Sequence, residues 1–213
     1  MSRNGPDQEQ VAIKDYPFFR EGSRASVFIH IPKTAGTSIA HALQLPSPER
    51  LRGIKKHYSA AEIIPLMGPQ AWEQAYCFCF VRNPWDRLFS HYRFRRRKGK
   101  LPDQKHHLDF REWARYELEE RPPRQRQRSN LKPQSDWLKV GQEVAAMDFI
   151  GRFEQLEADF AKICASLQVQ AQLPHLLAGS DYEDYRPQYD AYTVDLAANY
   201  YREDIERWAY RFE

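Results

Sequence analysis

No run of about 18 apolar residues occurs anywhere in the 213-residue chain, so nothing reads as a membrane span. The opening MSRNGPDQEQ lacks the apolar stretch of a secretory signal. Cysteine is scarce, and three residues cannot close a disulfide framework. Cys77 and Cys79 alternate within an apolar run and Cys164 sits in a helical pattern, as buried, reduced thiols would. Glycine is scarce too, at nine residues, and no GxxxxGK[ST] nucleotide-triphosphate loop appears. No His, Cys, Asp or Glu cluster has metal-ligand spacing, so no metal is expected. There is no internal repeat. These absences imply a soluble protein of a reducing compartment, expected to be cytoplasmic. What is present excludes fibrous and disordered classes: 42% hydrophobic and 14% aromatic residues can form a core. The length fits one domain, expected over 23–213, preceded by a loose arm at 1–22.

The net charge of +3 hides an uneven spread. Residues 93–128 hold 13 Lys/Arg against 6 Asp/Glu, a local +7, and the remainder stands at −4. A basic block on a slightly acidic body fits an anionic partner, and equally fits a solvated helix and loop. A nucleic-acid module would use such a cluster for phosphate contacts. The basicity is local, however, and no nucleic-acid motif accompanies it, so no nucleic acid is expected as partner.

Ala25–Ile31 (ASVFIHI) and Ala75–Val81 (AYCFCFV) are almost unbroken apolar runs, the pattern of strands buried on both faces of a parallel sheet. The first is followed by PKTAGTS and a short helical pattern. The second is followed by RNPWDRLFSHY, where Asn83 suits an N-cap, Pro84 the first helical position and Asp86 the positive helix end. Met147–Gly151 reads as a third strand, and Phe153–Leu167 as an amphipathic helix. Thr193 is expected to cap one last helix running to Phe212. Residues 99–135 read as a basic, irregular insert broken by a short helix near Phe110–Leu118. Strands alternating with helices predict an α/β fold: a three-layer, P-loop-like domain with a mostly parallel central sheet flanked by helices.

The loop after the first strand has the makings of an anion site. The backbone N–H groups of Ala35, Gly36, Thr37 and Ser38 would converge at the helix start, with Lys33 adding charge and Thr34, Thr37 and Ser38 hydroxyls. An ordinary strand-to-helix turn would share the spacing. Lysine precedes the glycine here, which disfavours a P-loop kinase.

HIPKTAGTS resembles the 5′-phosphosulfate-binding loop of sulfotransferases that use 3′-phosphoadenosine 5′-phosphosulfate (PAPS). VRNPWDRLFSHY resembles their 3′-phosphate-binding segment, with Arg82 and Ser90 at the matching positions, eight residues apart. LKPQSDWL, DFIGRFEQLEADF and YYREDIERWAYRFE are similar to the carbohydrate sulfotransferase branch, so the resemblance runs over about 25–213. Golgi members of that branch carry a membrane anchor, and animal members often have paired cysteines after the PQ segment. This sequence shows neither.

The resemblance implies PAPS as donor, 3′,5′-ADP as product, and transfer to a hydroxyl-bearing acceptor, a sugar or glycoconjugate, anionic ones included. A small alcohol or phenol, or a non-catalytic adenosine-phosphate sensor, are the alternatives. Sulfuryl transfer, like phosphoryl transfer, needs positioning and preorganised positive charge. Lys33 would stabilise the bridging oxygen, and Thr34, Gly36, Thr37 and Ser38 would cradle the 5′-phosphate. His57 stands where that branch puts its catalytic histidine and is the expected base. His30 reads as a satisfied buried histidine, His91 as structural, and His106 and His107 as able only to touch an acceptor. Gln134, Ser135 and Trp137, by resemblance, line the cleft, with Lys132 and Arg152 as weaker anion contacts. Glu154 suits either the site or a helix start. The oligomeric state is not legible.

Overall fold

A computed structural model describes residues 12–47, 54–99, 101, 108–127, 130–174 and 183–213. Two runs of β-branched and aromatic residues set its centre. Strands β1 (Phe19–Arg20), β2 (Ser26–Ile29) and β3 (Tyr76–Val81) lie in one sheet. Beyond β2 the chain forms helix α1 (Gly36–Ala42), and α2 (Ala60–Met67) and α3 (Pro69–Gln74) lead back to β3. Helix α4 (Pro84–Arg97) follows β3 at once. Asn83 caps it, accepting from the Trp85 N–H at 3.1 Å, as its sequence predicts.

Helices α5 (Phe110–Arg115), α6 (Pro123–Gln127) and α7 (Ser135–Leu138) come next. A hairpin of β4 (Lys139–Val140) and β5 (Glu143–Val144) then precedes β6 (Phe149–Arg152), which completes the main sheet. Helices α8 (Leu156–Leu167), α9 (Ala191–Tyr200) and α10 (Arg202–Trp208) finish the chain.

The main sheet has the order β1-β2-β3-β6. The three longer strands are parallel, with Phe28 opposite Phe78 and Phe78 opposite Phe149. Side chains alternate between its faces. Phe28, Tyr76, Phe78 and Phe80 pack with Ile39 of α1 and Phe160 and Ile163 of α8. Val27, Ile29, Cys77, Cys79 and Val81 face the other way, toward Ile63, Trp72, Trp85 and Leu88. Helices therefore cover both sheet faces, and strands buried this way read as unbroken apolar runs.

Three expectations need revising. The described part of the expected arm is not loose. Residue Phe19 pairs antiparallel with Val27, and buried Phe18 and partly buried Tyr16 pack on Tyr58. The aromatic island at 16–19 had apolar surface to bury, and the free edge of β2 offered partners. The expected last helix is two. Asp190, not Thr193, caps α9 in a reciprocal capping box with Thr193, and the chain breaks at Tyr201 before α10. The described part of the insert at 99–135 is more ordered than its composition suggests. Asp109 caps α5, and one turn of π-helix, Tyr116–Glu120, extends it. Phe110, Trp113, Leu118 and Leu131 are core residues.

Candidate functional site

Because β2 and β3 run parallel, the segments leaving their carboxyl ends emerge side by side. Ligands in such sheets bind at this edge. The two segments meet in one cavity of about 640 Å³, within the range of small-molecule sites. Lys33, Ala35, Gly36, Thr37, Ser38, His57, Arg82 and Ser90 all line it.

The first loop is held in an uncommon conformation. Lys33 and Ala35 have φ of 72° and 65°, in the left-handed region that non-glycine residues seldom enter. Alternation of this kind turns successive N–H groups inward as an anion-binding concavity. Ser38 and Ile39 N–H groups close onto the Ala35 carbonyl, whereas first-turn N–H groups such as those of Gly36 and Thr37 have no carbonyl four residues back inside the helix. Gly36 is required by its neighbour: a Cβ there would sit 2.0 Å from the His30 ring.

Lys33 is half-buried, with its ammonium 4.4 Å from the centre of the Phe94 ring. Burial, then the positive charges of Arg82, Arg97, Lys56 and Arg93, lower its pKa to about 8. Arg82 is buried at the end of β3. Its guanidinium donates through Nε and Nη2 to both oxygens of Asp86, each at 2.8 Å, and through Nη1 to the Lys33 carbonyl at 3.2 Å. Phe153 lies beneath it at 3.9 Å. The carboxylate fixes the fork in a bidentate geometry, and the third bond ties the second motif to the first.

His57 reaches the cavity from the segment before α2. Its Nδ1 lies 2.8 Å from the His30 carbonyl oxygen. A carbonyl can only accept, so Nδ1 carries the proton and, in the neutral ring, Nε2 holds a lone pair. Burial lowers the His57 pKa to about 4, the His30 bond opposing and nearby Lys56 adding to the effect. The ring meets those of His30 at 4.4 Å and Trp137 at 6.0 Å, edge to face. His30 itself is buried and held well below its ordinary pKa, first by that burial.

Other expected site residues lie elsewhere. Thr34 is fully buried and donates its hydroxyl to the Ile31 carbonyl at 2.9 Å, so it shapes the turn and does not line the cavity. Gln134 is also fully buried. It accepts from the Arg82 N–H at 2.9 Å and donates to the Arg82 carbonyl at 2.8 Å, as a side chain standing in for a further strand. The Gln134 and Ser135 N–H groups both donate to Asp204. These bonds draw the two residues into the frame beneath Arg82, and neither lines the cavity. Trp137 braces His57, and the Lys132 ammonium lies 4.1 Å from the Trp137 ring. Arg152 donates to the Trp208 carbonyl, and Glu154 accepts from the Asn83 N–H, so both serve the frame. His106 and His107 lie outside the described residues.

The cavity also takes in residues that the motifs did not single out. Lys56 donates to the Thr37 hydroxyl at 2.9 Å. His91, Phe94, Arg95, Glu117, Arg121 and Phe153 line further parts of the wall. Five cationic side chains face one lining carboxylate, Glu117, and Asp86 stands behind Arg82. Nearby cations lowering the Lys33 pKa report the same surplus. The volume, the inward N–H groups and the charge suit a polyanionic nucleotide. Among the described residues no group of three or more His, Cys, Asp or Glu could hold a metal ion, and no helix is long and apolar enough to cross a membrane.

A sequence model of the Sulfotransferase family matches residues 16–211. No curated protein and no solved structure matches the chain significantly. The family match spans more than half of the chain.

Proposed function

We propose, for a chain that belongs to the Sulfotransferase family, transfer of a sulfuryl group from PAPS to a hydroxyl on a sugar or glycoconjugate, with His57 as base. Members of the family in general use PAPS as donor, which supplies the activated sulfuryl group. The observation that carries the reading is the convergence, in one cavity, of the 33–38 loop, Arg82 with Ser90, and a histidine with a free Nε2.

On this reading the N–H groups and hydroxyls at 36–38 hold the 5′-phosphate. Arg82 and Ser90 hold the 3′-phosphate. Lys33, in its strained loop, faces the bridging oxygen where negative charge grows as the S–O bond breaks. His57 Nε2 takes the acceptor proton, and the resulting Nδ1–H bond to the His30 carbonyl strengthens as the ring becomes cationic. Trp137 and His30 keep that ring in place. The sugar acceptor rests on the likeness of 131–138, 148–160 and 200–213 to the carbohydrate branch.

The test is 35S transfer from labelled PAPS to a panel of glycans, alcohols and phenols. His57→Ala is expected to lower transfer by about 100-fold or more. It should leave 3′,5′-ADP affinity, read by calorimetry, within about threefold. Full activity in that variant would move the base elsewhere.

A further inference from the structure

Lys33 enters the cavity on a side chain that its backbone cannot aim. The φ of 72° fixes where the chain leaves the loop, but the flexible four-carbon stem beyond it keeps rotatable bonds of its own. Among the described residues its ammonium makes no hydrogen bond and no ion pair. The charged groups that face it share its sign: Arg82 at the end of β3, Arg93 and Arg97 on α4, and Lys56 before α2. His91, also on α4, is held well below its ordinary pKa, first by burial and then by Arg87 and Lys33, so it is neutral. The nearby carboxylates are taken. Glu117 pairs with Arg95 and Arg121, and Asp86 pairs with Arg82.

What the ammonium meets is the face of the Phe94 ring, 4.4 Å from its centre. Phe94 is partly buried and lies one helical turn beyond Ser90, on the side of α4 that lines the cavity. An aromatic face attracts a cation, more strongly where water is excluded. A carboxylate in its place would hold the proton too. Its charge, however, would cancel that of the lysine and repel an incoming anion. A ring carries a quadrupole and no net charge, so it holds the ammonium and leaves the cavity positive. An aliphatic side chain would supply the same apolar wall without the attraction. The margin is narrow, because burial and four cations already draw the Lys33 pKa down to about 8.

We propose that Phe94 is a positioning residue, whose ring face keeps the Lys33 ammonium charged and directed across the cavity. In the sulfuryl-transfer reading, on which this role rests, the positive charge is thereby in place before the donor binds. Phe94 acts through Lys33 and needs no contact with the reacting atoms.

The test changes the electrons of the ring and hardly its shape. 4-Fluorophenylalanine and 3,4,5-trifluorophenylalanine are placed at position 94 alone, and each draws more density from the face than the one before. Lysine labelled with 13C at Cε reports the titration of Lys33 by NMR in the ligand-free protein, its signal assigned by its loss in Lys33→Arg. The Lys33 pKa is expected to fall at each step, by about 0.5 or more over the series. The alkaline limb of kcat/KM for 35S transfer should move down by the same amount. At about pH 6, where the lysine is charged in every form, the rate should stay within about threefold of the wild type. A Lys33 titration indifferent to fluorination would overturn the proposal. So would a rate lost equally at every pH, the mark of a ring that only packs. If the titration shifts as expected while no acceptor receives 35S, the hold on Lys33 stands and the transfer reading fails.

Discussion

Burial shifts the protonation equilibria of both Lys33 and His57 toward the neutral form. Lys33, at a pKa of about 8, is charged below that value and neutral above it. In the proposed role its hold on negative charge is thus present at pH 7 and lost as pH rises through about 8. We expect kcat/KM, which reports the free protein, to fall across that range, and Lys33→Arg to flatten the fall because guanidinium keeps its charge. An unchanged alkaline limb in the variant would remove Lys33 from that role. His57 has the opposite need. A pKa of about 4 makes it neutral and able to accept a proton at pH 7, but a weak base. Two phosphates placed beside it would favour its charged form. Imidazole NMR titration should therefore show the His57 pKa rising when 3′,5′-ADP binds, and a fall would mean that the nucleotide sits elsewhere. The placement of Lys33, Arg82 and Ser90 at the ends of two neighbouring strands was legible from short spacings within one strand–loop–helix unit each. Thr34 and Gln134 were misplaced because residue type says nothing of direction: one hydroxyl closes its own turn, and one amide pairs with backbone 52 residues away.

At the scale of elements, β3 and α4 form the beam on which the site is mounted, and Arg87 fastens it. This side chain is fully buried, with no ion pair to a carboxylate among the described residues. It donates to the carbonyls of Pro32, Asn130 and Lys132, at 2.9–3.2 Å. It thereby joins the loop before Lys33, helix α4 and the segment leading to α7. Arg87→Leu would leave three carbonyls without their donor, a cost on the order of 3 kcal/mol or more. The melting temperature should drop by roughly 6–12 °C. A variant that melts with the wild type would show that water replaces the guanidinium. The alternation of strands and helices was legible because β2 and β3 are buried on both faces and α4 carries its cap and proline in sequence. The pairing of β1 was not, since two residues give no periodicity and the edge they cover is defined only once β2 exists. The π-helical turn was equally hidden, as YELEE continues an ordinary helical pattern.

Over the whole molecule, the described cations of the basic block point in different directions. Arg96, Arg97 and Lys98 stand exposed at the end of α4, whereas Arg95 and Arg121 turn into the cavity beside Lys33, Lys56 and Arg82. A concave site with one sign of charge raises the encounter rate of an anion, and salt screens that effect. The association rate of 3′,5′-ADP should fall several-fold between about 0.05 and 0.5 M salt, and more steeply than its dissociation rate rises. A rate indifferent to salt would mean that the cavity's charges are balanced by contacts within the protein. That Lys56 and Arg121 join Lys33 and Arg82 in one cavity was not legible, because neither lies in the motifs that mark the other two. Distance along the chain has a consequence in time. Asn83, which caps α4 and so sets Arg82 and Ser90, donates its side-chain amide to the carbonyl of Arg211, 128 residues later. During synthesis at about 5–20 residues per second, roughly 6–25 s separate the making of the two ends of that bond. For that interval the nascent chain holds Asn83, Arg82 and Ser90 without the clasp that completes the start of α4.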